Sequence, residues 1–179
     1  MTVIETECLI IKPYVTADAA LMAALHSDPV VMDFMKGSKP LNESEAAETF
    51  QRYLQGWQND GYSLFAVRQK SEGAFVGECG FWHRPDKPGV SMRFLLHQTY
   101  WGQGFGAEMN QAVTAWLFTE TDVKSFWAVT QSRNKGAVAI LRRLGGYVSE
   151  TAHMSIDGLL RFDVTRPAWE QSRAQEQDD

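Results

Sequence analysis

The sequence predicts an α/β domain: a mixed central sheet with helices on both faces. Three observations predict it. Apolar residues recur at helical spacing in some segments and in short runs in others, with the texture changing at Tyr62. Short runs between Tyr62 and His97, broken by Gly, Pro and charged residues, read as a meander of sequential strands. Helical patterns lie between strands only near the middle of the chain, so some neighbours need crossovers and the rest do not. The count comes to about seven strands and about four helices.

Taken in order, Leu9 to Val15 reads as the first strand. A short helix from about Ala17 to His26 follows, with Thr16 placed to cap it. Asn42 and Glu45 have the spacing of a capping box, and Ala46, Phe50, Tyr53, Leu54 and Trp57 then recur on one helical face. Ser63 to Gln69, Ala74 to Trp82 and Val90 to His97 form the meander. The next helix, Gly104 to Thr119, gathers Phe105, Met109, Ala112, Val113, Trp116 and Leu117 on one side. Ser125 to Thr130 is a strand, and Lys135 to Leu144 a helix that stops at Gly145-Gly146. Tyr147 to Ser155 and Leu160 to Thr165 complete the sheet as a hairpin turning at Asp157-Gly158.

A chain of 179 residues that is 44% hydrophobic suffices for one compact core. A formal charge of -5 argues against a nucleic-acid role and accommodates a cationic partner more easily, although ordinary solubility explains it equally well. Met1 to Glu7 lacks a basic region before an apolar stretch, and no apolar run is long enough to span a bilayer. Cys8 and Cys79 form neither a disulfide framework nor a metal-ligand cluster. The expectation is therefore a cytoplasmic protein, a monomer or homodimer, with no metal. The domain is expected over residues 8–169, followed by a solvated tail over 170–179.

The segment Gly102-Gln103-Gly104-Phe105-Gly106-Ala107 lies between a strand and a helix. Backbone N–H groups converge there, the helix dipole favours an anion, and glycine keeps side chains out of its way. A plain connector has the same letters, and so does the Gly-x-Gly-x-x-Ala dinucleotide fingerprint. That fingerprint should follow the first strand, whereas six elements precede it here. Glu120 and Asp122 also fall before the next strand rather than at its end. No Gly-Lys-Ser/Thr follows, which excludes a kinase-type phosphate loop.

Tyr100-Trp101-Gly102-Gln103-Gly104-Phe105-Gly106-Ala107-Glu108 resembles the glycine segment of the Gcn5-related N-acetyltransferase (GNAT) superfamily, in its ribosomal-protein N-terminal acetyltransferase branch. Asn134, followed by Leu144-Gly145-Gly146-Tyr147, is similar to a second block of that family. Leu9-Ile10-Ile11-Lys12-Pro13 and Val164-Thr165-Arg166-Pro167-Ala168-Trp169 resemble its first and last strands. The resemblance implies a mostly antiparallel sheet and transfer of an acetyl group from acetyl-CoA to a primary amine by direct attack. The acceptor would be a protein N-terminus or a small amine. It also implies that the amides of Phe94, Leu95 and Leu96 pair with the pantetheine arm and polarise the thioester. The pyrophosphate would lie on the amides of Gly102, Gln103, Gly104, Phe105, Gly106 and Ala107, with Trp101 a further cofactor contact and Asn134 approaching the pantetheine arm across the cleft.

The family's usual acidic strand positions carry Ser91 and Arg93, and its usual helix acids are Ala137 and Leu141, so neither role carries over. Glu78 and His83 are the candidate bases, although Arg93 could simply neutralise Glu78. Phe34, Met35 and Trp82 are candidates to line the acceptor pocket, entered between the first two helices and the loop Arg84-Pro85-Asp86-Lys87-Pro88. The alternative reading is an acyl-CoA-binding sensor with degenerate catalysis.

Overall fold

The computed structural model describes residues 2–35, 39–84, 87–149 and 158–178. Its strands are β1 (Ile4–Glu5), β2 (Leu9–Pro13), β3 (Leu64–Gln69), β4 (Phe75–His83), β5 (Val90–Leu96), β6 (Ser125–Gln131), β7 (Tyr147–Val148) and β8 (Leu159–Thr165). Its helices are α1 (Ala19–Ser27), α2 (Pro29–Met32), α3 (Glu43–Asn59), α4 (Phe105–Glu120), α5 (Lys135–Arg143) and α6 (Arg166–Asp178). All eight strands form one sheet in the order β1-β2-β3-β4-β5-β6-β8-β7. Every adjacent pair is antiparallel except β5 and β6, which are joined by the α4 crossover.

The sheet sorts its side chains by the period of two. On β3, Phe65 and Val67 join the core under α4, while Leu64 and Ala66 face Met22 of α1 and Phe50 and Tyr53 of α3. On β4, Cys79 and Phe81 face the α4 side. The α4 core also takes Leu141 of α5 and Trp169 of α6.

The local sequence explains the helix starts. Asn42 Oδ1 accepts from the Glu45 amide at 2.9 Å and Glu45 Oε2 accepts from the Asn42 amide at 2.9 Å, the expected capping box. Asp28 begins α2 by accepting from the amides of Val30 and Val31, with Pro29 at the first helical position. The expected Thr16 cap is replaced. Thr16–Asp18 form a 3-10 turn, and Asp18 accepts from the Val15 amide at 3.1 Å.

The expected counts fall short by one strand and two helices. β1 has two residues and α2 four, too short for any period to show. The third surprise is α6, which runs through the segment expected as a solvated tail. Its residues 173–175 are nonetheless exposed, while Trp169 is anchored against Phe118 at 5.4 Å. Of the expected last hairpin, β7 pairs with β8 as Tyr147↔Asp163, whereas Asp157 of its turn lies outside the described residues.

Candidate active site

β5 and β6 pair at Ser91↔Trp127 and share no further register position. Beyond that point Met92–Leu96 and Ala128–Thr130 form opposite walls of a cleft of about 500 Å³. Alternate N–H groups of a strand point to opposite neighbours, so those of β5 that face away from β4 are left open to the cleft. The parallel crossover thus exposes a row of donors where an extended ligand can pair.

The glycine turn closes one end. Gly102 and Gly104 have φ of 74° and 86°, the left-handed region that favours glycine, and a Cβ built on either meets nothing within 4 Å. Gly104 is the N-cap of α4, whose first-turn amides have no partner within the helix. At the opposite wall, Asn134 caps α5, with Oδ1 accepting from the Ala137 amide at 3.1 Å. Phe94, Leu95, Leu96, Trp101, Gly102, Gly104, Gly106, Ala107 and Asn134 all line the cleft. Of the remaining expected cofactor contacts, Phe105 is turned into the core and Gln103 is tied by Nε2 to the Thr99 carbonyl at 2.7 Å.

A strap spans the same cleft. Arg133 donates to the Asp33 carboxylate at 2.8 Å and to its carbonyl at 2.9 Å, and its guanidinium lies 4.9 Å from the Phe34 ring centroid. Phe34 meets Trp101 edge-on at 5.7 Å. The segment after α2 therefore touches both the glycine turn and the turn before α5. Phe34 and Met35, expected in an acceptor pocket, line this cleft instead.

Trp82 lies elsewhere, in a second recess of about 230 Å³ with His26, Met32, Lys39, Leu41, Thr49 and Arg93. Arg93 is common to both cavities. Its guanidinium sits 5.0 Å from the Trp82 ring, and Nη1 donates to the Tyr53 hydroxyl at 3.0 Å.

Behind this recess Glu78 is fully buried. Oε2 accepts from the Tyr14 hydroxyl at 2.9 Å, and Oε1 accepts from the Tyr53 hydroxyl at 3.2 Å and lies 2.8 Å from His26 Nε2. Burial alone would raise this carboxyl, but the His26 ring, the Arg93 charge and the Tyr14 hydroxyl outweigh it and hold the group below the ordinary carboxylate value. Burial, together with the Glu78 charge, pushes the Tyr14 and Tyr53 phenols up, with Arg93 opposing it at Tyr53. Both phenols are therefore donors. Glu78 lines neither cavity. His83 is exposed and bonds Tyr62 Oη at 2.8 Å, and it too lines neither cavity.

The acetyltransferase (GNAT) domain profile matches residues 9–146. The chain belongs to that family. A relative, the uncharacterized protein YkkB of Bacillus subtilis, is 26% identical over 136 residues, 74% of this chain and 77% of its own. Among solved structures, an acetyltransferase from Agrobacterium tumefaciens superposes with a TM-score of 0.81 at 22% identity, over 93% of this chain and 95% of that one. The ribosomal-protein-S5-alanine acetyltransferase of Vibrio fischeri follows at 0.74 and 16%, covering 94% and 99%. The spermidine N-acetyltransferase of Vibrio cholerae, solved with CoA and spermine, gives 0.73 and 13%, covering 90% and 98%.

As a GNAT enzyme the protein is an acetyl-CoA-dependent transferase, and the cleft fits that substrate: open amides at the glycine turn for phosphate, an unpaired strand edge for an amide-bearing arm. The dinucleotide fingerprint is set aside, because a largely antiparallel sheet is not the doubly wound parallel one it requires. Among the described residues no cluster of His, Cys, Asp and Glu could hold a metal ion, and no helix is long and apolar enough to cross a membrane. Sequence reasoning missed Tyr14, His26, Tyr53 and Arg133. Tyr53 and His26 carried a legible signal, being polar groups on the apolar faces of α3 and α1.

Proposed function

We propose that the protein N-acetylates a primary amine that enters by the recess of His26, Trp82 and Arg93. The observation that carries this reading is that two cavities share Arg93 in their walls: one fits acetyl-CoA, the other is a separate, smaller approach to the same strand. The pyrophosphate rests on the amides from Gly102 to Ala107, and the pantetheine arm runs along Phe94–Leu96. A β5 N–H donates to the thioester oxygen as it gains charge, an interaction of about 3 kcal/mol for such a donor. The amine nitrogen bonds to the acetyl carbon and the carbonyl oxygen takes the electron pair. As the carbonyl re-forms the carbon–sulfur bond breaks, the sulfur leaves with that bond's pair, and the extra proton on nitrogen ends on the sulfur as the free thiol. Ala137 and Leu141 line the cleft and offer no acid, which a thiol of pKa about 8.5 does not need.

The ammonium must first lose a proton. Glu78 is a fully buried carboxylate, and His26, which lines the recess and holds Glu78 Oε1 at 2.8 Å, is its connection to the site. Glu78 thus acts through His26 rather than on the amine, and His83 stands apart. The free thiols Cys8 and Cys79 fit a reducing, cytoplasmic setting.

Thiol release from acetyl-CoA over a panel of small amines and peptides tests the reading. Amine-dependent release is expected, falling in Glu78→Gln and His26→Gln and unchanged in His83→Ala. Tight acetyl-CoA binding with no release across the panel would overturn it.

A further inference from the structure

The acceptor recess has a charge of its own. Its walls include Arg93, Lys39 and His26, with the Thr49 hydroxyl and Trp82, and no lining residue is Asp or Glu. Two carboxylates act on these cations, Glu78 on Arg93 and Glu45 on Lys39, and neither lines the recess. Glu78 is fully buried behind the recess, with Tyr14, Tyr53 and His26 on its oxygens. Glu45 pairs with Lys39 at 3.2 Å, but the two side chains are 36% and 75% exposed, so water screens the pair and leaves Lys39 able to turn inward. Arg93 is held in place by Tyr53 and Trp82, so its guanidinium is fixed beside Trp82, a wall of the recess. A fixed guanidinium is a planar donor suited to carboxylate or phosphate. The overall charge of -5 does not govern this spot, because charges farther off than a Debye length are screened.

We infer that the acceptor amine carries an anionic group, a carboxylate or a phosphate, seated between Arg93 and Lys39. This rests on the reading that the recess admits the acceptor. A polyamine would bring a second ammonium against Arg93 and Lys39, and like charges brought together without water between them repel strongly. The recess therefore selects amino carboxylates or aminoalkyl phosphates, uncharged monoamines come next, and diamines last.

Calorimetric titration of the CoA-saturated protein reads this directly, with amino carboxylates, aminoalkyl phosphates, monoamines and diamines of matched chain length. At least one anionic class is expected to bind roughly tenfold or more tightly than the diamines, and the two anionic arms tell carboxylate from phosphate. Lys39→Glu should invert the order, Lys39→Gln should fall between, and CoA affinity should hold in both. Should Lys39→Glu fail to fold, Thr49→Glu places the same charge on another wall. Diamines binding as tightly as the anionic amines, no anionic amine binding, or an order unmoved by the charge reversal would each overturn the inference. Anionic amines that bind with the inverted order in the variant, yet release no thiol from acetyl-CoA, would uphold the recess and sink the transferase reading instead.

Discussion

Glu78 and Gly104 show how single positions set this site. Glu78 sits in the core only because Tyr14, Tyr53 and His26 satisfy its oxygens, and removing one partner of a buried charged network costs about 3 kcal/mol or more. Glu78→Gln should therefore lower the unfolding free energy by about that amount at neutral pH. Because the folded carboxyl titrates below its ordinary 4.5, its stabilisation is present above that value and is lost as the pH falls through the folded one. Urea unfolding of both proteins against pH should show the gap narrowing in acid; a gap independent of pH would contradict the charged assignment. At Gly104 the left-handed backbone admits Asn and Asp more readily than other side chains, so the two variants differ chiefly in charge. Gly104→Asp should weaken acetyl-CoA binding at least about tenfold beyond Gly104→Asn, the scale of one like charge a few ångströms away near a protein surface. Equal affinities in a calorimetric titration would move the pyrophosphate off this turn.

Among the elements, α5 carries two duties through one residue. Asn134 Oδ1 caps the helix on the Ala137 amide, and its side-chain nitrogen is left for the cleft that it lines. The two duties separate chemically. Asn134→Asp keeps the capping oxygen and loses the donor; Asn134→Ala loses both. The alanine variant should unfold about 1 kcal/mol more easily, while the aspartate variant keeps its stability and both bind acetyl-CoA less well. Full affinity in Asn134→Asp would leave the residue a helix cap and nothing more. Legibility followed the same division by element. The α3 capping box, the meander and the glycine turn were readable because each is a local pattern with a local cause. The Glu78 network was not, since Tyr14, His26 and Tyr53 come from three segments and Arg93 from a fourth, and sequence spacing carries no record of their meeting. β1 and α2 escaped because two and four residues hold less than one full period.

For the whole molecule, the parting of β5 and β6 ties stability to the ligand. The six other strand pairs each hold two or more register positions, β3 and β4 with one shift between Val67 and Arg68, but this pair has a single position, so the cleft cuts the sheet between β1–β5 and the β6–β8–β7 part. The strap that crosses it rests on an Arg133–Asp33 pair whose side chains are 53% and 61% exposed, and such pairs contribute about 1 kcal/mol or less. A ligand lying along β5 and reaching Asn134 and the glycine turn would bridge the two parts with contacts the free protein lacks. Binding only the folded state, it stabilises by about 2.7 kcal/mol at one hundred times its Kd. Acetyl-CoA should therefore raise Tm in a concentration-dependent way, and NAD should not. Amide exchange should slow on Phe94–Leu96 and over the first turn of α4 on one side of the cleft, and over the first turn of α5 beside Asn134 on the other. A rise in Tm with protection confined to one side would show that the ligand binds without bridging the sheet.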